Sequence, residues 1–479
     1  MSIMQMLLAA RGVSGYLMDR SVRIRLSAAA YFSRTPATAS GRNTWTVSGW
    51  YKRGQLGGTK TLFTAYDQIA NLTYLRFEND TLDLLQFNTS PGSVTWRLQS
   101  NALFRDPSAW YHIVAVFDST EATAANRIKL YVNGVQITSF ATATYPALNA
   151  NSTWNSNVTS YFGTYTGGTS LGFDGYMADV YSVSGQALDP TSFGETNALT
   201  GVWQPIAYTG TYGTNGFYLD FEDTSSVAAL GTDDSGNGNT WTVNNISLTA
   251  GVTYDSMTDV PTLTSATAAN YAVLNPISNN IAYSITNGNL SISNGGTAKG
   301  TKPASFFLTS GKWYWEVVGN GYAGAVCGVN GTAFAGSVSS TGSNAIGYWE
   351  GGIVYWDGGN SGTGASYTSS DIIGIALDMN AGTVAFYKNN SLQYTATFGS
   401  GTVPNLSLGC FPCYNDGFSN AAKSANFNFG QRPFAYTPPT GFKALNTFNL
   451  LDSSIVDGSQ YFDTSLYTGN GSTQSITGV

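Results

Sequence analysis

From Ser33 to about Val183 the chain repeats one phrase, a short run of alternating apolar and polar residues followed by a turn rich in Gly, Asn or Asp. A period of two puts successive side chains on opposite faces, which is the pattern of a half-buried strand. Thr44 to Tyr51, Thr73 to Phe77, Thr81 to Phe87 and Ser93 to Leu98 all follow it. Trp110 to Phe117 (WYHIVAVF) is apolar almost throughout, which predicts a strand covered on both faces. Asn133-Gly134 lies between two β-rich arms and supplies the positive φ angles of a type I′ turn. A second region in the same style runs from Tyr271 to Phe442, and Pro433, Pro438 and Pro439 close it. No segment carries an apolar stripe of helical period longer than about two turns. These patterns predict an all-β chain.

Composition supports that reading. The 479 residues suffice for two domains with sizeable cores. Charged residues are 10%, against an average of about 25%. Hydroxyls, amides and 55 glycines take their place, as short strands and tight turns require. A net charge of -7 with dispersed basic residues argues against a nucleic-acid partner, which needs a clustered cationic surface. No run of about 18 apolar residues is present, so no membrane span is expected. Three cysteines, Cys327, Cys410 and Cys413, make no disulfide framework and fit assembly in a reducing cytoplasm.

The N-terminus, MSIMQMLLAARG, is apolar but lacks the cationic segment that precedes the core of a secretory signal. Residues 1–27 are therefore expected to form an attachment segment packed on another chain, with Met4, Met6, Leu7 and Leu8 as its apolar contacts. Residues 249–270 have few bulky side chains and include Pro261, so they read as a linker. The expected domains are 28–248 and 271–445. Residues 446–479 form a polar tail that either docks on a neighbour or starts a further module, with Tyr461 to Tyr467 strand-like.

Four motifs in order give the first region its resemblance: TVSGWYKR (46–53), AWYHIVAVFD (109–118), KLYVNGVQI (129–137) and FDGYMADVYSV (173–183). They resemble laminin-G-like, concanavalin A-like lectin domains, over about 150 residues. The second region resembles SPRY domains through SGKWYWEVV (310–318), CGV (327–329), IGYWEGGIVYWDGG (346–359), DIIGIALDMNAGTVAFYKNN (371–390) and ANFNFGQRPF (425–434). The two resemblances imply two antiparallel jelly-roll β-sandwiches in tandem behind a short N-terminal attachment segment. The pairing of these modules, with the phrases YDSMTDVP (254–261) and SLYTGNGSTQSITGV (465–479), resembles tailed-bacteriophage fibre and virion proteins.

Catalytic constellations are sparse. A glycoside hydrolase takes two carboxylates about 5 to 10 Å apart. Asp220 and Glu222 share a strand face without a third acid, while Glu78 and Asp83 fall on separate strand segments. His112, the only histidine, is expected in the core, bonded to a backbone group. Cys410-x-x-Cys413 has no second pair to complete a zinc site. The loop carrying Asp233, Asp234, Asn237 and Asn239, with Asp220 and Asp223 beside it, has the oxygen donors of a Ca²⁺ site, which laminin-G-like relatives often carry. The same residues also suit a turn of left-handed conformations. Tyr348, Trp349, Tyr355 and Trp356 flank a Glu-Gly-Gly turn, and whichever half faces outward would stack on sugar rings.

The expected function is a non-catalytic phage fibre or tail protein that binds a host surface glycan or protein. It would be made in the host cytoplasm and incorporated into the virion, with the N-terminus on other virion proteins. A homo-oligomer, a trimer above all, would add avidity. An architectural virion protein is the alternative reading, and a glycan depolymerase a third.

Overall fold

The computed structural model describes residues 15–67, 71–88, 92–198, 200–278, 283–294, 300–328, 344–356, 359–416, 422–451, 469–473 and 475. Met4, Met6, Leu7, Leu8 and Tyr461 to Tyr467 lie outside them. The described chain is strands and loops with a few 3-10 turns, of which the longest has four residues. None of its helices is long and apolar enough to cross a membrane.

Two eight-stranded sheets make the first module. One runs Val135–Gln136, Ile128–Val132, Trp110–Asp118, Thr44–Arg53, Gly175–Ser184, Ser21–Ile24, Ser256–Met257, and Phe217–Leu219 also pairs with Gly175–Ser184. The other runs Phe140–Thr144, Ser93–Leu103, Thr81–Asn88, Asn71–Glu78, Thr59–Tyr66, Thr159–Phe162, Tyr31–Arg34, Thr242–Asn244. Every pairing between these strands is antiparallel. Trp45, Val47 and Tyr51 from one sheet and Phe63, Leu75, Phe77, Leu84 and Trp96 from the other fill the space between them. Alternation on Thr44–Arg53 sends Ser48, Trp50 and Lys52 to the opposite face.

That opposite face is also covered, which is why Trp110–Asp118 and Gly175–Ser184 read as nearly unbroken apolar runs. Leu188, Phe193, Tyr208 and Tyr212 cover Val114, Val116, Tyr181 and Val183. Over the other half lies the second module. The predicted hairpin closes at Asn133 (φ 48°) and Gly134 (φ 79°), the two left-handed positions of a type I′ turn. A Cβ on Gly134 would stand 2.5 Å from the Trp203 ring, so this turn also needs glycine sterically.

The second module pairs a seven-stranded sheet with a six-stranded one. The first has the order Ser284–Thr286, Ser291–Ser293, Ser424–Asn428, Lys312–Gly319, Ile372–Asp378, Thr383–Lys388, Ser391–Thr397. The second has the order Gly300–Pro303, Cys410–Asp416, Tyr322–Gly328, Ala345–Tyr348, Ile353–Trp356, Gly359–Thr363. Trp313, Trp315, Ile373, Ile375 and Phe386 meet Val326, Ile346, Tyr348 and Val354 between them.

Two boundary expectations are corrected. Residues 249–270 are not a linker. Ser256–Met257 adds a strand beside Ser21–Ile24, and Val260, Ala268 and Ala269 are buried. Small side chains here reflect close packing between two modules, which composition alone does not distinguish from a flexible connector. Residues 15–27 likewise belong to the first module, because Ser21–Ile24 is an interior strand and Met18 sits in the shared core.

Buried charge fixes the seam. Arg23 Nε donates to Asp255 Oδ1 at 3.0 Å, and Arg25 Nε donates to the same oxygen at 2.8 Å. Asp174 Oδ1 accepts from Gly288 N at 2.6 Å and its Oδ2 from Asn287 N at 3.0 Å, so a turn of the second module caps a carboxylate of the first. Burial pushes the Asp174 pKa up, while these backbone donors oppose the rise.

Candidate functional site

The sheet end where Thr59–Tyr66, Asn71–Glu78 and Thr81–Asn88 meet their loops holds a polar cleft of about 460 Å³. Arg42, Asp67, Asn71, Gln86, Asn151 and Asn157 line it. Asp67 Oδ1 accepts from Asn71 N at 2.8 Å, which fixes the carboxylate at the mouth of a strand turn. Gln86 Oε1 accepts from Thr73 Oγ1 at 3.0 Å and Thr153 N at 3.1 Å, tying the loop 151–158 to the sheet. Arg42 Nε donates to Ser152 O at 3.0 Å, and Asn157 Nδ2 donates to Pro36 O at 2.8 Å. The cleft wall is thus a set of oriented amides, one guanidinium and one carboxylate, suited to the paired hydroxyls of a sugar or to peptide groups.

The outer face of the same sheet carries a partly buried aromatic cluster. Tyr66 and Tyr165 stack with ring centroids 6.0 Å apart, and Tyr74 meets Tyr165 edge-on at 5.8 Å. Leu72, Tyr74 and Leu85 are the buried part of this cluster, and partly buried Phe87 packs against them. The Arg76 guanidinium sits 4.6 Å from the Tyr74 ring centre and pairs with Asp83 at 2.8 Å; Arg97 grips the other oxygen of Asp83 at 2.8 Å. Glu78 pairs with Arg76 at 3.0 Å, so two carboxylates balance the two guanidinium groups. Local sequence patterns do not reveal this cleft, because its walls come from four separated stretches, with Arg42, with Asp67 and Asn71, with Gln86, and with Asn151 to Val158.

The aromatic platform expected in the second module is corrected. Tyr348 has no exposed surface and packs on Tyr367 and Phe386. Trp356 is buried too, its Nε1 donating to Thr402 Oγ1 at 3.0 Å. Tyr355, on the opposite face, is also buried, and half-buried Trp349 packs edge-on against it at 6.1 Å. Both faces of this hairpin are covered, so alternation leaves no outer half.

In the acidic loop expected to suit Ca²⁺, the oxygens are engaged in the loop's own hydrogen bonds. Asp233 Oδ1 accepts from Tyr218 N and Ser235 N, and its Oδ2 accepts from Asn239 N at 2.6 Å. Asn237 and Asn239 turn their amide nitrogens toward Gly216 O, and Asn239 Oδ1 accepts from Arg34. Asp220 and Asp223 cap Glu222 N and Ser225 N. Burial and the neighbouring Asp220 push Asp234 up to about 6. These oxygens hold a turn together, and among the described residues no three His, Cys, Asp or Glu side chains converge to hold a metal ion.

His112 is buried as expected, yet its ring partners are side chains. Trp203 Nε1 donates to Nδ1 at 2.9 Å, which leaves Nε2 as the protonated nitrogen, 2.8 Å from Ser48 Oγ. Trp50 stacks on the ring at 4.9 Å, and burial pushes its pKa down to about 3. Cys410 and Cys413 lie in different hydrophobic clusters on opposite faces of one strand, so Cys-x-x-Cys spacing does not bring them together. All three thiols are free and buried. Asp179 escaped the sequence reading: it sits at a bulge with φ 45°, accepts from Tyr218 OH at 2.8 Å, and burial pushes it up to about 7.

Comparison with known proteins follows this architecture. Residues 27–192 match the concanavalin A-like lectin/glucanases superfamily, and residues 312–432 match the SPRY domain. A search of curated proteins found no match. Among solved structures, the SPRY domain of human HERC1 is 24% identical, covering 30% of this chain and 91% of that one, with a TM-score of 0.25. A putative carbohydrate binding protein from Bacteroides ovatus is 13% identical over 48% of this chain and 59% of its own, at a TM-score of 0.31. Mouse laminin alpha1 domains LG4-5 are 10% identical over 91% and 96%, at 0.27. The chain therefore carries a concanavalin A-like lectin-type domain followed by a SPRY domain.

Proposed function

We propose that this chain is a non-catalytic bacteriophage virion protein of a tail or fibre, whose first sandwich binds a host surface glycan or protein. The polar cleft around Asp67, Asn71 and Gln86 carries this reading. It offers oriented hydrogen-bonding groups that match the paired hydroxyls of a sugar. Among the described lining residues Asp67 is the one carboxylate, whereas hydrolysis by the two-carboxylate route takes a pair. Sparse charge and free buried thiols suit a protein assembled in a host cytoplasm and then built into a particle. In this reading the chain is a homo-oligomer, so modest single sites add up through avidity.

The merged seam between the modules favours a second reading, an architectural virion protein that needs stiffness more than a ligand. Immunogold labelling of intact virions, with the recombinant oligomer applied to host cells, separates the two. Label at a tail tip and saturable cell binding support attachment. Label on the capsid or inside the tail, without cell binding, supports architecture.

A further inference from the structure

A groove of about 310 Å³ opens where residues 250–252 of the first module meet the outer face of the seven-stranded sheet. Val252, Val318, Ile372 and Phe434 give it apolar walls, and Arg432 and Glu316 lie among them. Only 4% of Arg432 is exposed. Its guanidinium donates to Phe427 O at 3.0 Å and, among the described residues, makes no ion pair. Glu316 attracts it without forming an ion pair, its carboxylate accepting instead from Ala435 N at 2.8 Å, Tyr436 N at 2.9 Å and Tyr314 OH at 3.2 Å. Behind it, Arg23 is occupied by Asp255. Burial, with the nearby Arg23 charge, holds Arg432 down at about 9, and the attraction of Tyr176, Glu316 and Asp255 opposes this without making up for it.

We propose that this groove binds an acidic side chain carried on an apolar peptide segment of a partner protein. The carboxylate meets Arg432, and the flanking apolar residues cover Val318, Ile372 and Phe434. A singly charged anion fits, since Glu316 in the same groove repels a densely anionic ligand such as a polyphosphate or acidic polysaccharide. The site is separate from the polar cleft and stands whether or not that cleft binds sugar.

The test is calorimetric titration of the full chain with the peptide Ac-Leu-Glu-Leu-NH2, its Glu-to-Gln twin, and hexanoate. A charge-assisted hydrogen bond predicts that the Glu peptide binds about tenfold tighter than the twin. That preference disappears in Arg432→Gln. Val252→Trp, at an accessible rim position, blocks the Glu peptide and keeps the test valid should Arg432→Gln fail to fold. Equal binding of the two peptides, or a Glu preference that survives both variants, overturns the proposal. Hexanoate binding as tightly as the Glu peptide overturns the peptide assignment.

Discussion

Lys52 and Asp259 face each other at 2.7 Å with neither side chain reaching solvent. Lys52 comes from the first module's central sheet and Asp259 from the stretch between the modules. Lys52 Nζ also donates to Asn270 Oδ1 at 2.7 Å and Tyr271 O at 2.8 Å, and Trp110 Nε1 donates to Asp259 Oδ1 at 3.1 Å. Burial pushes the lysine's pKa down and the carboxylate's up, each toward its neutral form, and the mutual attraction opposes both shifts. The additional hydrogen bonds explain how a dry ion pair is tolerated here.

Removing one partner strands the other. Asp259→Ala is expected to cost about 3–5 kcal/mol, and the double variant Lys52→Met/Asp259→Leu less than that. Urea unfolding of the full chain measures both. Because the core and the ion pairs cross the seam, wild-type unfolding is expected as one transition for both modules. A double variant as unstable as the single one would mean that the charges themselves hold the seam.

His112 sets an acid limit. Its folded pKa of about 3 lies below the ordinary 6.5, so the unfolded chain takes up a proton that the folded chain refuses. The associated stability is complete above pH 6.5 and is lost as pH falls toward 3, with a slope approaching about 1.4 kcal/mol per pH unit. His112→Gln, which keeps a donor and an acceptor, is expected to flatten the stability curve between pH 6 and 4 by that slope. The imidazole resonance of the single histidine should stay neutral at pH 5.

Asp179 works in the opposite direction. Its folded pKa of about 7 exceeds the ordinary 3.8, so its stabilising contribution is complete below pH 3.8 and is lost as pH rises through 7. Asp179→Asn tolerates the positive φ and can still accept from Tyr218 OH. The variant is expected to match wild type in Tm at pH 4 and to exceed it at pH 8. Equal Tm values at pH 8 would show that the carboxylate ionises there without penalty.

Gly134→Ala should cost about 1–3 kcal/mol, from positive φ and from the Trp203 ring that the new Cβ would meet. Chemical denaturation measures it, and tryptophan fluorescence should report the shift of Trp203.

Period-two alternation and the Asn133-Gly134 turn made the strands legible, because they express local geometry and burial of a single face. Residues 249–270 misled because small side chains serve a tight interface as well as a free connector. Tyr348 and Trp356 misled because burial on both faces of a hairpin depends on loops distant in sequence. The cleft was hidden because Arg42, Asp67, Gln86 and Asn157 become neighbours only when the sheet and loop 151–158 meet.

The most direct test of the proposed function is a glycan-array measurement with the oligomeric full chain, repeated with Asn71→Ala and Asn157→Ala, two substitutions in the cleft, and followed by sizing of the bound glycan. Saturable binding that weakens by about tenfold in either variant, with the glycan recovered at its original length, is the predicted result. Binding indifferent to both substitutions, or a shortened glycan, would contradict it.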